Sequence, residues 1–193
     1  MTSPAMPETA MPAPKTALVI IDMQTEMQRR IDAGLDCVNP EAGTHIARLA
    51  AAFRAAGLPV VHVRHRSDDP TAAFHPGNPL AAPLPCAEAL PGEPVFTKTT
   101  SSAFASTDMA GWLRERGIGD LVVAGAVAGF CVNTTVRQGC DLGFRMTVAR
   151  DAVLGFGLGE GQPDAATIFE VTMGLLAADF ATVAESATIL QRV

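Results

Sequence analysis

The chain has 193 residues, 48% of them hydrophobic, which suits one domain with a sizeable core. Its 14 Lys and Arg against 20 Asp and Glu leave a formal charge of −6, and no basic run occurs. That balance argues against nucleic acid or an anionic membrane surface as a partner, and no apolar stretch is long enough to cross a bilayer.

Residues 1–14 are rich in Pro, Ala and Met and lack the basic start and apolar block of a secretory signal. They read as a flexible tail, or as an arm docked on a neighbouring subunit, ahead of a single domain over 15–193. The unbroken apolar run at 17–21 predicts a strand buried on both faces, as in a parallel sheet, and it ends at Asp22. Ile46, Leu49, Ala50 and Phe53 have helical spacing, stopped by Gly57. A second strand follows at 59–63. Residues 64–93 contain many prolines and are too long for a plain connection, so they read as a functional loop or an interface.

A third strand at 94–98 ends on Lys98, and a helix spans about 107–116. The fourth strand, 121–124, leads through the small residues 125–129 to Cys131. Val132, Val136 and Cys140 then have helical spacing, closed by Gly143. This places the thiol in a helix's first turn, where free N–H groups and the dipole favour a thiolate. A fifth strand at 145–149, a helix at 163–178 with Pro163 in its first turn, and a short strand at 182–184 complete the chain. Strands alternating with helices predict an α/β fold, a Rossmann-like parallel sheet with helices on both faces. Sites in such sheets lie beyond the carboxyl ends of the strands.

Asp22, Lys98 and Cys131 all fall on that rim. Each has a plain structural reading: a turn-forming acid, a solvated edge charge and a small buried hydrophobe. A base, a cation and a thiol converging on one rim point instead to nucleophilic catalysis. Gln24, His65, Phe104 and Phe130 are expected to wall the pocket, core packing being the other reading for the two phenylalanines. His62 and His65 are three apart and need not face together, so no metal and no other cofactor is expected. His62 is expected to anchor its strand by hydrogen bonds, and His75 to lie at the surface. Cys37, Cys86, Cys131 and Cys140 show no paired metal spacing and read as free thiols of a reducing cytoplasm. The glycine-rich 155–161 and the 64–93 segment are candidate pocket covers.

Five segments in order carry a resemblance: Leu-Val-Ile-Ile-Asp-Met-Gln at 18–24, His-Val-Arg-His-Arg-Ser at 62–67, Lys-Thr-Thr-Ser-Ser-Ala-Phe at 98–104 with Thr-Asp-Met at 107–109, Gly-Ala-Val-Ala-Gly-Phe-Cys-Val at 125–132, and Gly-Phe-Arg-Met-Thr-Val at 143–148 leading to Asp151 and Ala152. From residue 17 to about 183 the chain resembles the isochorismatase-like cysteine hydrolase superfamily. The resemblance implies a three-layer α/β/α fold with a six-stranded parallel sheet and an Asp–Lys–Cys triad at Asp22, Lys98 and Cys131. It also implies a cis peptide joining Ala126 and Val127, and an oxyanion hole from the N–H groups of Val127 and Cys131. Assembly as a homodimer or homotetramer is implied as well. Met27 stands where many members carry Phe, a change to the pocket wall.

The expected function is hydrolysis of a C–N bond in a small amide, lactam or carbamoyl or ureido compound through a thioester. The alternatives are an isochorismatase-type or nicotinamidase-type hydrolase on the same scaffold, or a catalytically silent homologue. A nucleotide-binding flavodoxin-like protein is disfavoured, because no phosphate-cradling glycine loop follows the first strand.

Overall fold

A computed structural model describes residues 15–193; the expected tail at 1–14 lies outside the described residues. Six strands form one parallel sheet: β1 (Lys15–Ile21), β3 (Val60–His65), β4 (Val95–Lys98), β5 (Ile118–Gly125), β6 (Arg145–Val153) and β8 (Thr182–Ala184). Their order is β4-β3-β1-β5-β6-β8. Residues 17–21 are fully buried because β1 is the central strand, paired to β3 on one side and β5 on the other.

Side chains alternate along each strand, so the sheet divides the core in two. One face carries Leu18 and Ile20 and packs on Ile46, Leu49, Ala50 and Phe53 of α2 (Ala42–Ala55), with Met27 of α1 (Thr25–Asp32) and Ile189 of α6 (Ser186–Leu190) beside them. The other face carries Val19, Ile21, Val61 and Val63. It packs on Met109 and Leu113 of α3 (Met109–Glu115), Val136 of α4 (Asn133–Asp141), and Phe169, Met173 and Leu176 of α5 (Ala165–Asp179). This is the expected three-layer architecture.

Chain direction sets the site. From β1 the strands run outward through β3 to β4, then return across β1 to β5 and run outward the other way. The crevice at this reversal lies beyond the carboxyl ends of β1 and β5, where Asp22 and residues 126–131 stand.

Several elements differ from the sequence reading. The fourth and fifth strands extend further than expected, to Ile118–Gly125 and Arg145–Val153. The register between them shifts after Val123, and Asn39, with φ of 58°, donates its side-chain amide to the carbonyls of Arg150 and Val153 across that irregularity. Helix α5 starts after Pro163: Asp164 is the cap and accepts from the Thr167 N–H at 2.7 Å. Helix α1 was not expected, since only Met27 and Ile31 mark its apolar face. Residues 155–156 are no mobile cover: Gly155–Phe156 forms β7, paired antiparallel with β2 (Cys37–Val38), and both residues are buried. The 64–93 segment is anchored against the β1–α1 junction, with the Thr25 N–H on the Ala82 carbonyl at 2.8 Å and the Leu84 N–H on the Met23 carbonyl at 2.8 Å.

Candidate active site

Asp22 leaves β1 in the left-handed region, with φ of 50°, a conformation that Asp tolerates better than most side chains. Its N–H still bonds to the Val63 carbonyl at 2.9 Å, so the turn is tied to the sheet. Lys98 is the last residue of β4, paired in register with His65 of β3. It is fully buried, and its Nζ lies 2.7 Å from Asp22 Oδ2 and 3.3 Å from Cys131 Sγ. The same ammonium reaches the Thr100 carbonyl at 3.2 Å and His65 Nδ1 at 3.1 Å. Lysine can only donate, so Nδ1 of His65 is the acceptor and the ring proton sits on Nε2. Burial and the nearby Lys98 charge hold the His65 pKa below its ordinary value, which keeps the ring neutral.

Cys131 lies in a wide turn, Ala128–Val132, that runs directly into α4. The Ala126–Val127 peptide before it is cis. Neighbouring strands hold both ends of this segment: Ala126 N–H bonds to the Ile21 carbonyl at 2.8 Å, and Ala128 N–H to the Leu154 carbonyl at 2.8 Å. The Val127 N–H has no acceptor among the described residues. Gly125, with φ of +120°, turns the chain beneath the site, and a Cβ there would lie 2.0 Å from the Ile21 carbonyl oxygen.

The expected thiolate is not what this geometry favours. Burial pushes the Cys131 thiol up to about 11, and the Asp22 charge adds to that, with Lys98 opposing. Position near a helix start is outweighed by desolvation and an adjacent acid. The carboxyl of Asp22 is also raised above its ordinary value, by burial, with Lys98 offsetting part of the effect. Its Oδ1 is buried without a hydrogen-bond partner among the described residues. The resting pair is therefore a thiol beside a carboxylate that is more basic than usual.

A pocket of about 150 Å³ opens on this group, lined by Asp22, Met27, Arg30, His65, Phe74, Ala126, Val127, Phe130 and Cys131. At ~30 Å³ per water it has room for about five, which suits a small substrate. His65 and Phe130 are among its lining residues, Phe130 with 53% of its surface exposed. Gln24 and Phe104 are not. Gln24 is buried, donates to the carbonyls of His65 (3.1 Å) and Ala81 (2.8 Å), and accepts from the His65 N–H (2.9 Å). It clamps β3 to the 64–93 segment and does not line the pocket. Phe104 stacks on Phe144 with centroids 5.5 Å apart, inside the core cluster below α4.

Arg30 and Phe74 are lining residues that sequence reasoning missed. Arg30 sits one turn beyond Met27 on α1, a spacing that would have flagged it had the helix been foreseen. Phe74 meets His65 edge-on at 5.2 Å, with no periodicity around it to mark it. His62 anchors its strand through Nε2, 2.8 Å from Glu93 Oε2, on the face of β3 opposite His65. His75 is only half-buried and accepts from the Gly77 N–H at 3.1 Å. Among the described residues no group of three or more His, Cys, Asp or Glu is gathered to hold a metal, and no helix is long and apolar enough to cross a membrane.

Comparison with known proteins places this chain in a family. A model described as the isochorismatase domain matches residues 16–184. The isochorismatase family protein YrdC of Bacillus subtilis (strain 168) is 31% identical over 172 residues, spanning 88% of this chain and 91% of that protein. Maleamate amidohydrolase of Pseudomonas putida (strain KT2440) is 30% identical over 174 residues, covering 81% of this chain and 79% of that enzyme. Among solved structures, a hydrolase of the isochorismatase family from Chromobacterium violaceum ATCC 12472 superposes with a TM-score of 0.86 at 35% identity, covering 94% of this chain and 97% of that one. A family model spanning residues 16–184, with a fold shared over 94% of the chain, establishes that this chain belongs to the isochorismatase family of hydrolases.

Proposed function

We propose that the protein is a cysteine hydrolase that cleaves the C–N bond of a small amide, lactam or carbamoyl or ureido compound through a thioester. The observation that carries this reading is the position of Lys98 Nζ, 2.7 Å from the Asp22 carboxylate and 3.3 Å from the Cys131 sulfur. Maleamate amidohydrolase, a relative, cleaves an amide by its name, which supports a C–N bond as the target.

In the proposed sequence Asp22 takes the Cys131 proton as the sulfur attacks the carbonyl carbon of the substrate. The Lys98 ammonium stabilises the charge arriving on the sulfur and holds the carboxylate in place. The N–H groups of Val127 and Cys131 take up the negative charge on the carbonyl oxygen; losing one such donor typically costs about 3 kcal/mol of transition-state stabilisation. The tetrahedral intermediate collapses as protonated Asp22 gives its proton to the leaving nitrogen, releasing ammonia or an amine. Water then attacks the thioester, Asp22 accepts its proton, and the sulfur departs and is reprotonated from Asp22. Acid, thiol and base are restored.

All four cysteines are free, which suits a reducing compartment, and we place the enzyme in the cytoplasm. We treat residues 15–193 as one catalytic domain. Val171 and Leu175 are exposed one turn apart on α5, which supports burial of that helix in a homodimer or homotetramer. The test is an ammonia-release screen over small amides and ureides with wild type and Cys131→Ala. Turnover that disappears in the variant supports the reading; equal turnover by both proteins overturns it.

A further inference from the structure

Lys98 has more acceptors than protons. An ammonium donates three hydrogen bonds. Around Lys98 Nζ stand four acceptors: Asp22 Oδ2 at 2.7 Å, His65 Nδ1 at 3.1 Å, the Thr100 carbonyl at 3.2 Å and Cys131 Sγ at 3.3 Å. The side chain is fully buried, so these four divide its protons among themselves. The Asp22 carboxylate has the first claim, by charge and by distance. The Thr100 carbonyl is held in place by its own loop, where Thr100 Oγ1 donates to the Ser102 carbonyl at 2.9 Å. One N–H is left for two claimants, an imidazole nitrogen and a sulfur.

Their ranking depends on the state of the sulfur. A thiol sulfur is a weak acceptor, weaker than the in-plane lone pair of a neutral imidazole. A thiolate carries a full charge and outranks that lone pair. His65 is built to compete. Gln24 clamps its backbone, through the His65 N–H at 2.9 Å and the His65 carbonyl at 3.1 Å. Its ring meets Phe74 edge-on at 5.2 Å, and it stands in register with Lys98 across β3 and β4. Burial and the Lys98 charge keep the ring neutral, so the lone pair is available. The mechanism proposed above gives this ring no task.

We propose that His65 is a positioning residue that holds the third Lys98 N–H off the Cys131 sulfur in the resting enzyme and yields it when the sulfur ionises. This rests on Cys131 being the nucleophile proposed above, and it adds a means by which that nucleophile stays a thiol between turnovers. As Asp22 takes the thiol proton, the ammonium turns about its Cε–Nζ bond and one N–H passes from His65 Nδ1 to Cys131 Sγ. No proton changes owner in that exchange: one hydrogen bond breaks and one forms. Once the sulfur is bound in the thioester its charge is gone, and the N–H returns to His65.

The test follows alkylation of Cys131 by iodoacetamide against pH, mapped by mass spectrometry, in wild type, His65→Leu, His65→Gln and His65→Asn. The charged and titratable groups that line the pocket beside Cys131 are Asp22, Arg30 and His65, with Lys98 beneath them, and only residue 65 changes among the four proteins. Leucine has no acceptor, and glutamine carries its acceptor where the ring has Nε2, so both release the third N–H to the sulfur. Alkylation at neutral pH should then rise about tenfold and its profile should move about one pH unit lower, the low end of what a hydrogen bond to a charged group is worth. A ring that served only as a pocket wall predicts the opposite sign for leucine, because an apolar neighbour raises a thiol pKa. Asparagine carries Oδ1 where the ring has Nδ1 and should restore the wild-type profile. A profile that stays in place or moves up in His65→Gln overturns the proposal, as does an accelerated His65→Asn. His65→Gln carries the comparison should His65→Leu fold poorly. Nitrogen NMR of the wild-type imidazoles adds an arm that needs no altered protein beyond His65→Asn for assignment. An unprotonated Nδ1 on His65 at neutral pH supports the proposal, and an Nδ1–H tautomer overturns it. These readouts need no turnover. Ammonia release that survives in Cys131→Ala would strike the hydrolase reading, while the alkylation profiles still decide His65.

Discussion

Asp22 and Lys98 form an ion pair of 2.7 Å in which neither side chain has more than 4% of its surface in contact with solvent. Two charges removed from water in this way are held by each other, and removing one leaves the other buried and uncompensated. Asp22→Asn and Lys98→Met should each therefore destabilise the fold by about 3 kcal/mol. The double variant should lose less than the sum of the two, because no lone charge remains. Urea unfolding of the three variants and wild type measures the coupling. Strict additivity would mean that the pair does not act as a unit.

The same pair governs how the thiol titrates. Burial first, and then the Asp22 charge, push Cys131 up to about 11. The thiolate is the species that reacts with iodoacetamide, so alkylation of Cys131 at neutral pH should be slower than that of free cysteine. It should climb about tenfold per pH unit up to that midpoint. Asp22→Asn removes the acid that opposes ionisation while Lys98 stays. Alkylation should then accelerate and shift to lower pH, even as turnover falls by roughly 100-fold or more for want of a base. Mass-spectrometric mapping of Cys131 against pH separates it from the other three cysteines. In turnover by wild type, the acid limb should lie above the ordinary Asp value of 3.8, because Asp22 must be ionised to act and burial raises its pKa. A limb at or below 3.8 would contradict Asp22 as the base.

The central strands were legible because a strand buried on both faces must be apolar without interruption, as residues 17–21 and 121–124 are. Asp22, Lys98 and Cys131 were legible as a group because a parallel sheet with its crossovers brings the strand ends to one rim. What stayed illegible depends on partners distant in sequence. The two-residue strands β2 and β7 exist only because they pair with each other. Gln24 was misplaced because its orientation is decided by carbonyls at 65 and 81, which no local pattern announces. The thiolate expectation failed for a similar reason. A helix start can be seen in the sequence, whereas the burial of the sulfur and the proximity of the Asp22 charge cannot.

Gln24 itself gives a prediction that distinguishes a clamp from a pocket wall. Its three hydrogen bonds serve backbone groups of half-buried His65 and Ala81, from a side chain on a residue only 1% exposed. Gln24→Leu keeps the bulk and leaves those groups unpaired, so it should cost about 2–3 kcal/mol in urea unfolding. Phe130→Ala should behave in the opposite way. Phe130 is 53% exposed and lines the pocket, so stability should shift by no more than ~0.5 kcal/mol, while KM changes by several-fold. A Gln24 variant of wild-type stability would refute the clamp.

Gly125 offers the most severe test of how the sheet builds the site. The residue ends β5 with φ of +120°, a conformation open to glycine and strained for side chains with a Cβ. A Cβ there would lie 2.0 Å from the Ile21 carbonyl oxygen and 2.6 Å from its nitrogen, both backbone atoms of the central strand that cannot yield by a rotamer change. Relief would require β1 and β5 to separate. That would break the Ala126 N–H bond to Ile21 and the Leu154 N–H bond to Gly125, which together position the Cys131 turn. Gly125→Ala should therefore lose turnover entirely and either fail to fold or unfold at least ~10 °C lower, taking ~2–4 °C per kcal/mol for a chain of this size. Circular dichroism on heating, read beside ammonia release, checks both effects. An active Gly125→Ala enzyme with an unchanged melting temperature would show that the close packing of β5 on β1 does not hold the nucleophile in place.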